Sequence, residues 1–418
     1  MKKLFIVLVM LVTMNANAQW VQQYYSGHYT ALNAIRFLND NTGYIVGEDL
    51  TGAYVSIFLK TTNGGTNWNR INLNVILEDD LYALSFISVN TGFVCGRNSY
   101  IRKTTDGGLT WASYLAATNT PNFNAIQFLD EQTGYVGGRY GIRAKSTNGG
   151  VNWTPLDTAL THIDLIHFFD VNTGIMGDAN SGIYRTTNGG TNWSFKYQTD
   201  SNGAGYDYIN SSFINNNTGY VIGTTYTKGI LLKTTNKGID WSIIRTIPNR
   251  IGAVYALNNS TIYVGGYLNY ILCSTDAGLS WSNQYFSNTN EGMNSICFIN
   301  DNTGFCCGMS GNVYITTNGG VRVENISTEV PSAYSLGQNF PNPFNPTTNI
   351  KFSIVNSGDV KLVVYDIQGR EVQTLVNESL KPGTYEAAFD GSALNSGVYF
   401  YKLITGNFTE TKKMLLIK

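Results

Sequence analysis

An eight-residue segment that ends in tryptophan recurs along most of this 418-residue chain and limits how the chain can fold. The first copy spans residues 61–68 with the sequence TTNGGTNW, five further copies also end in tryptophan, and a seventh has Val323 in that place. Successive copies lie 43, 42, 40, 48, 40 and 42 residues apart. A repeat of about 40–45 residues is the length of one four-stranded blade of a β-propeller. We therefore predict an all-β fold that contains a seven-bladed propeller.

Each octet has the composition of a tight turn that a tryptophan anchors. The Asn or Asp at the third position can close the turn through its side chain, and the Gly pair adopts backbone angles that a Cβ would hinder. A buried tryptophan also removes roughly 150–250 Å² of surface from water. We therefore interpret the octets as structural staples and not as catalytic groups. The residues assigned to these turns are Asn63, Trp68, Asp106, Trp111, Asn148, Trp153, Asn188, Trp193, Asn236, Trp241, Asp276, Trp281 and Asn318.

The sequence also predicts how the ring of blades closes. Each unit opens with an apolar segment whose third residue is usually small, which suits the innermost strand of a blade. A ring must pair its last blade with its first, because an open sheet edge invites pairing with other chains. The seventh octet lacks its tryptophan, whereas Trp20 lies just before the first repeat. We predict that Trp20 and the strand after it complete the seventh blade.

The beginning of the chain indicates export. Residues 1–18 combine Lys2 and Lys3 with an apolar run and the small residues Ala16 and Ala18, the pattern of a secretory signal peptide. The apolar run is too short for a stable transmembrane helix, and no later segment is long enough. We therefore expect the mature chain to begin near residue 19, to leave the cytoplasm and to have no transmembrane segment. The net charge of −1 argues against nucleic acid as a partner.

Five cysteines and three histidines remain to be explained. An odd number of cysteines argues against a disulfide framework. We interpret the cysteines as small buried side chains, with a single Cys297–Cys306 bridge across neighbouring strands as the alternative. Because the histidines show no metal-ligand spacing with the cysteines, we predict neither a metal site nor a cofactor.

The repeat stops near residue 327, and a different kind of sequence follows. Residues 328–335 have the composition of a linker, and residues 336–418 contain strands that alternate on a period of two between turn signals. This pattern predicts a small Ig-like β-sandwich. The domain prediction is therefore a signal peptide at 1–18, a propeller at 19–327, a linker at 328–335 and a sandwich at 336–418.

The octets are similar to Asp-box repeats, whose pattern is Ser/Thr-x-Asp-x-Gly-x-x-Trp. Asp stands at the third position in Asp106 and Asp276, and Asn replaces it in the other copies. Together with the Thr-Gly-Tyr/Phe-x-x-Gly strand of each unit, this makes residues 19–327 resemble bacterial BNR propellers, in particular the photosystem II assembly and stability factor-like group. The resemblance implies a propeller fold, but propellers carry many unrelated activities.

The last part of the chain resembles the type A sorting domain of the type IX secretion system. The motifs that carry the resemblance are QNFPNPFNP at 338–346, VYDxxGR at 364–370, SGVYFY at 396–401 and the terminal KKMLLIK at 412–418. The resemblance implies that the secretion machinery is a partner of this domain. It also implies a secreted or outer-membrane surface location in a Gram-negative bacterium, reached through the periplasm.

These features predict a binding or scaffold propeller with a protein or glycan ligand. The ligand should meet the loops that join second and third strands and the loops between blades, on the face away from the octets. Arg97, Arg102, Arg139 and Arg143 stand at matching positions of two adjacent blades. They are interpreted as separate surface arginines, with a local basic patch for an acidic peptide or glycan as the alternative. The residues predicted to bind the ligand are Arg97, Tyr100, Arg139, Tyr140, Asp178, Tyr226 and Tyr267.

The alternative prediction is a glycoside hydrolase of the sialidase or endoglucanase type, because such enzymes also use Asp-box propellers. The Arg-Ile-Pro motif of the sialidases is absent, and arginines are few. Endoglucanase chemistry would need two opposed carboxylates. The acidic residues that enter a first strand are Glu78, Asp79, Asp80, Asp164 and Asp207. We expect these residues to be ordinary loop carboxylates and the protein not to be an enzyme.

Overall fold

The computed structural model describes residues 20–26, 30–49, 56–71, 80–116, 121–156, 162–179, 182–198, 205–267, 270–286, 292–320, 323–391 and 394–418. The predicted signal peptide lies outside these residues. The described part of the chain is built from β-strands, with two 3₁₀ turns at Arg97–Ser99 and Arg139–Gly141 and no α-helix. The all-β prediction is therefore confirmed.

In the propeller region, the described residues form seven four-stranded antiparallel sheets that follow one another around a ring, each meeting its neighbours through its innermost strand. Buried apolar residues line both faces of the inner strands, because each sheet is covered by the sheet before it and the sheet after it. In the first four sheets the strands, from the axis outward, are β2 (Thr30–Phe37), β3 (Gly43–Asp49), β4 (Ile57–Thr61) and β5 (Asn69–Arg70); β6 (Leu81–Phe86), β7 (Gly92–Gly96), β8 (Tyr100–Thr104) and β9 (Ala112–Leu115); β10 (Phe123–Phe128), β11 (Gly134–Gly138), β12 (Arg143–Ser146) and β13 (Thr154–Pro155); and β14 (Ile163–Phe168), β15 (Gly174–Asp178), β16 (Gly182–Thr186) and β17 (Ser194–Tyr197). In the last three they are β18 (Asp207–Phe213), β19 (Gly219–Thr224), β20 (Gly229–Thr234) and β21 (Ser242–Ile247); β22 (Ile251–Ala256), β23 (Ile262–Gly266), β24 (Tyr270–Ser274) and β25 (Ser282–Tyr285); and β26 (Met293–Phe298), β27 (Gly304–Gly308), β28 (Asn312–Thr316) and β1 (Val21–Tyr25).

The ring closes through the beginning of the chain, as predicted. Strand β1 pairs antiparallel with β28 and so supplies the outer strand of the last sheet. Trp20, just before this strand, is fully buried and lies edge-on to Phe298 with ring centroids 5.9 Å apart. The octet tryptophan Trp153 meets Phe128 in the same way, at 5.8 Å. Trp20 therefore occupies the place that the seventh octet leaves without a tryptophan.

Each octet is a turn held by its own side chains. In the first copy, Thr61 Oγ1 accepts a hydrogen bond from the Gly65 amide, and Asn63 Oδ1 accepts one from the Asn67 amide. Gly64 and Gly65 have φ angles of 65° and 79°, in the left-handed region that favours glycine. The Asn side chain thus closes the turn by capping the amide four residues further on.

The end of the chain forms a β-sandwich around one apolar core. One sheet has the order β29-β34-β31-β30 and the other the order β33-β32-β35-β36. Strand β29 belongs to this sandwich, although the sequence assigned its residues to the propeller. It pairs with β34, so the boundary between the two parts lies before residue 323 and not at residue 327. The strands are β29 (Val323–Ser327), β30 (Ser335–Leu336), β31 (Thr347–Ile354), β32 (Gly358–Tyr365), β33 (Glu371–Leu380), β34 (Gly383–Asp390), β35 (Gly397–Thr405) and β36 (Phe408–Leu416).

All five cysteines are buried and none forms a disulfide, so the alternative of a Cys297–Cys306 bridge is wrong. Cys297 pairs with Phe305 on the neighbouring strand, whereas Cys306 pairs with Ile296. The two cysteines are therefore not directly opposite each other in the sheet. Burial raises the pKa of the Cys273 thiol to about 12. The interpretation as small buried side chains accounts for these residues.

Candidate functional site

A β-bulge near the start of every innermost strand builds the mouth of a central cavity. In the first blade the bulge lies between Leu32 and Ala34, and the extra residue, Asn33, lines the cavity. Bulges commonly redirect a side chain in this way. The same irregularity recurs in the other six blades. Each blade therefore contributes one bulge residue to the cavity wall: Asn33, Tyr82, Asn124, Asp164, Ile209, Gly252 and Asn294.

The cavity follows the axis of the ring and has a volume of about 980 Å³. Its mouth opens on the face where the innermost strands begin, which we call the cavity face; it carries Arg97, Arg139, Tyr140, Tyr226 and Tyr267. The opposite side, which carries the seven octets, is the octet face. The antiparallel order of the strands requires this separation, because the start of each innermost strand pairs with the end of the second strand, as Leu81 does with Gly96.

Amide side chains of the bulge residues tie neighbouring blades together at the mouth. Asn33 Nδ2 donates to the Leu81 carbonyl in the next blade at 2.9 Å, and Asn294 Nδ2 donates to the Leu32 carbonyl at 3.0 Å. These bonds hold the wall of the cavity rigid, which suits a preformed binding site.

An acidic pair with one arginine lies near the mouth of the cavity, at the first and second blades. Asp80 is buried and forms an ion pair with Arg97, in which Arg97 Nη1 and Asp80 Oδ2 are 3.4 Å apart. Burial and the charge of Asp80 raise the pKa of Glu48, which lines the cavity. Burial, followed by the charges of Glu48 and Asp80, raises the pKa of Tyr82 to about 12. Glu48, Asp80 and Tyr82 therefore share one partly dehydrated region.

A second acidic group lies across the mouth, on the fourth blade. Asp164 Oδ1 accepts a hydrogen bond from Asn124 Nδ2 at 2.6 Å. Burial nevertheless raises the pKa of Asp164, and the charges of Asp207 and Asp178 act in the same direction. A carboxyl group whose pKa is raised inside a cavity is a group to test as a general acid.

An arginine that the sequence analysis missed stands between two tyrosines on the rim. The guanidinium of Arg250 lies 4.7 Å from the ring centroid of Tyr267 and 5.8 Å from that of Tyr226. Arg250 and Tyr267 line the cavity, and the Tyr226 side chain is 92% exposed. Stacking on aromatic rings fixes an arginine in place while leaving its hydrogen-bond donors available.

The other predicted binding residues differ in their access to the cavity. Arg139 lines it, Tyr140 is exposed on its rim beside His162, and Arg97 lies above it in its ion pair with Asp80. Tyr100 is only 36% exposed and belongs to the third strand of its blade, away from the axis. Asp178 is fully buried at the end of β15, so a ligand on the rim does not meet its side chain.

The alternative of a basic patch of four arginines is wrong, and so is the interpretation of all four as surface residues. Arg102 and Arg143 are buried, with 1% and 3% of their surface exposed, and only Arg97 and Arg139 share equivalent positions after the second strand. The guanidinium of Arg143 lies over the ring of Trp193 in the next blade, so this arginine packs between blades. Of the acidic alternatives, Glu78 and Asp79 lie outside the described residues.

The interior of the cavity contains a histidine that nothing in the sequence marked as special. The His167 ring stacks on Phe213 with centroids 4.4 Å apart and meets Phe169 edge-on. Burial, and then the positive charge of Arg36, lowers the pKa of His167 to about 4. Arg36 and His167 both line the cavity, from the first and fourth blades.

The described ranges contain neither a cluster of metal ligands nor a membrane-spanning helix. No group of three or more His, Cys, Asp or Glu side chains there could hold a metal ion. The same residues include no helix that is long and apolar enough to cross a membrane.

The fold and the cavity define the class of this protein: a repeat β-propeller followed by a β-sandwich. Family models give the particulars. Residues 73–160 and 154–257 match the photosynthesis system II assembly factor YCF48, and residues 338–418 match the secretion system C-terminal sorting domain. The propeller thus contains BNR repeats similar to those of YCF48, and the sorting domain at residues 338–418 supports export to the cell surface or beyond. No curated protein matches the chain.

Solved structures with the same fold include a binding protein and an enzyme. A structure described as YCF48 bound to D1 peptide is 17% identical, with a TM-score of 0.58, and covers 70% of this chain and 95% of its own. YCF48 from Cyanidioschyzon merolae is 18% identical, with a TM-score of 0.58 and coverages of 71% and 98%. The GH74 enzyme of Niastella koreensis is 14% identical, with a TM-score of 0.57 and coverages of 94% and 74%. At these identities the likeness concerns the fold alone.

Proposed function

We propose that this protein is an exported propeller that binds an extended, acidic protein segment on its cavity face. The sorting domain, through the type IX secretion machinery, carries it from the periplasm across the outer membrane to the surface of a Gram-negative bacterium or into the medium. The propeller itself acts as a binding or scaffold module and needs no cofactor.

The observation that carries this proposal is the arrangement of arginines at the mouth of the cavity. Arg139 and Arg250 line it from the third and sixth blades, and Arg97 holds in the second blade the position that Arg139 holds in the third. Arg139 has no ion-pair partner among the described residues. Arginine pairs with carboxylates through two parallel hydrogen bonds, so Arg139 and Arg250 favour a ligand that carries carboxylates.

The size and lining of the site also fit a peptide. A cavity of about 980 Å³ accommodates a few side chains, and its polar wall can satisfy backbone amides and carbonyls. The exposed rings of Tyr140 and Tyr226 extend the surface beyond the mouth. The structure described as YCF48 bound to D1 peptide is a precedent for peptide binding by this fold.

Reversing the charge of Arg139 should abolish binding. The experiment applies the purified protein to an array of short peptides from cell-envelope proteins and, in parallel, to a glycan array. We expect wild-type protein to retain acidic peptides, and Arg139→Glu, alone or with Arg97→Glu, to weaken this binding at least about 100-fold, because an attraction becomes a repulsion. The control is Arg70→Glu, the same charge change on the exposed outer strand of the first blade.

Two results would contradict the proposal. Equal peptide binding by Arg139→Glu and Arg70→Glu would show that the cavity mouth is not the site. Retention on acidic or neutral glycans, with no peptide retained, would assign the cavity face to a carbohydrate ligand.

A glycoside hydrolase is the second candidate, and the raised pKa of Asp164 is the observation that favours it. A general acid in such an enzyme needs a raised pKa and a second carboxylate as its partner. Asp207, whose charge reaches Asp164, is the nearest candidate for that partner. The fold is also that of the Niastella koreensis enzyme, although the likeness does not extend to its activity.

We expect no hydrolysis of sialosides or β-glucans by the wild-type protein. The measurement is release of reducing ends over several hours across the acidic and neutral pH range. If hydrolysis occurs and is lost in Asp164→Asn but not in Asp170→Asn, a carboxylate on a turn of the octet face, the enzyme candidate replaces the binding module.

A further inference from the structure

The sandwich rests on the octet face of the sixth and seventh blades. Thr275 Oγ1 in the sixth octet donates to Asp390, and Thr317 Oγ1 in the seventh donates to the Asn377 carbonyl at 2.9 Å. Both threonines hold the second position of their octets. That position is exposed in the first five octets but half-buried in these two. The repeat thus presents a threonine hydroxyl on every blade, and the sandwich uses two adjacent ones.

Propeller side chains take the place of a neighbouring strand along β33. This strand is an edge of its sheet, with β32 on one side only. On its other side, the carbonyls of Asn377 and Leu375 accept hydrogen bonds from Thr317 and Asn318. The Thr374 amide donates to Asn302 Oδ1, in a turn of the seventh blade. Three backbone groups of an open edge are therefore satisfied by the propeller.

The opposite edge of the same sheet is covered differently. The Phe344 amide donates to the Leu415 carbonyl of β36, and the Ile417 amide donates back to the Phe344 carbonyl. This cover comes from the proline-rich segment of the sandwich itself. Of these two edges, β33 is the one whose cover depends on the propeller.

The surface that covers β33 depends in turn on ring closure. Gln284 accepts a hydrogen bond from Trp20 Nε1 at 2.7 Å, and its Nε2 donates to the Gly319 carbonyl in the seventh octet at 3.1 Å. A Cβ on Gly320 would lie 2.1 Å from Gln284, so octet and glutamine are in tight contact. The contacts form one continuous path from the closing residue Trp20 to the octet that holds β33.

We propose that the seventh octet is a docking surface for the sorting domain that exists only when the propeller ring is closed. The missing octet tryptophan is part of this arrangement, because Val323, which stands in its place, is the first residue of strand β29 of the sandwich. In an unclosed chain the octet loses its support from Gln284, and the β33 edge becomes open to pairing with other chains. The β33 edge of the sorting domain is therefore protected only after the propeller, which is the exported cargo, has folded.

The test measures hydrogen exchange of the Thr374 amide in the full chain. We expect the docking variant Thr275→Ala/Thr317→Ala/Asn302→Ala to accelerate this exchange at least about tenfold, because the amide then bonds only to water. The closure variant Gln284→Leu should have the same effect without touching the sandwich. Exchange in β36 should stay unchanged in both and serves as the internal reference.

The matched control makes the same three changes in other blades: Thr105→Ala/Thr235→Ala/Asn172→Ala. Equal acceleration by this control would reduce the effect to general destabilisation and overturn the proposal. Unchanged exchange in the docking variant would show that the sandwich is not docked. An effect of the docking variant without one of Gln284→Leu would separate docking from closure and refute the coupling. If Gln284→Leu loses the near-ultraviolet tryptophan signal of the folded ring, it is replaced by Trp20→Phe, which removes the indole donor and keeps an aromatic ring in the core.

Discussion

Replacing Trp20 with alanine is expected to lower the free energy of unfolding of the propeller by about 3–5 kcal/mol, the usual cost of deleting a fully buried tryptophan. The ring of Trp20 is fully buried between Phe286 and Phe298, and its indole nitrogen donates to Gln284. The substitution leaves a large cavity beside the strand that closes the ring. It also leaves the side-chain oxygen of Gln284, Oε1, without the indole donor.

Chemical denaturation followed by tryptophan fluorescence measures this loss. The control is Phe195→Ala, an aromatic residue on the outer strand of the fourth blade that is 52% exposed. This change should cost less than about 1 kcal/mol, because water already reaches half of the ring. A Trp20 variant as stable as the Phe195 variant would mean that the N-terminal strand does not hold the ring together.

The repeats made most of the fold predictable, because their period records the length of one blade. The positions of turns follow from Asn, Asp and Gly in each octet, and those residues act locally, within the next few residues. Ring closure by Trp20 was also predictable, since a missing tryptophan at Val323 and an extra one at the start are both visible in the sequence. The structure places that tryptophan against Phe298, in the same edge-on contact that Trp153 makes with Phe128.

The candidate site was less predictable, because side-chain direction there depends on irregular backbone. The bulge that aims Asn33 and Asp164 at the cavity has no sequence signature of its own, although both residues precede a recurrent apolar pair. Arg250 becomes important only through its stacking with Tyr226 and Tyr267, residues far apart in the chain. Asp178 lies on a loop by sequence pattern but is buried in the structure.

The boundary between propeller and sandwich was misplaced for a related reason. Val323–Ser327 follows an octet, as an outer strand of a blade would, and so has the position of a propeller strand. Trp20 and β1 already occupy the outer position of the seventh blade, and the segment pairs with β34 instead. Competition between two distant segments for one sheet edge is not recorded in either segment alone.

Acid is expected to destabilise the propeller through His167, and His167→Gln is expected to remove this effect. Burial and Arg36 hold the pKa of His167 at about 4, below the ordinary value of 6.5, so the folded state binds fewer protons than the unfolded state between these values. Stability contributed by the neutral ring is therefore complete above pH 6.5 and is lost as the pH falls to about 4. At about 1.4 kcal/mol per pKa unit, the loss amounts to about 3 kcal/mol.

Glutamine is the appropriate replacement because the equivalent position of the third blade already holds one. Gln127 there exchanges hydrogen bonds with the Phe168 backbone and lines the same cavity. Denaturation midpoints measured from pH 7.5 to pH 4 should fall more steeply in wild-type protein than in His167→Gln. His162→Gln, at the rim beside Tyr140, sets the background for losing a histidine. Parallel pH profiles of wild-type protein and His167→Gln would mean that water reaches the ring and solvates its charge, and the interior of the cavity would then be open to a charged ligand group.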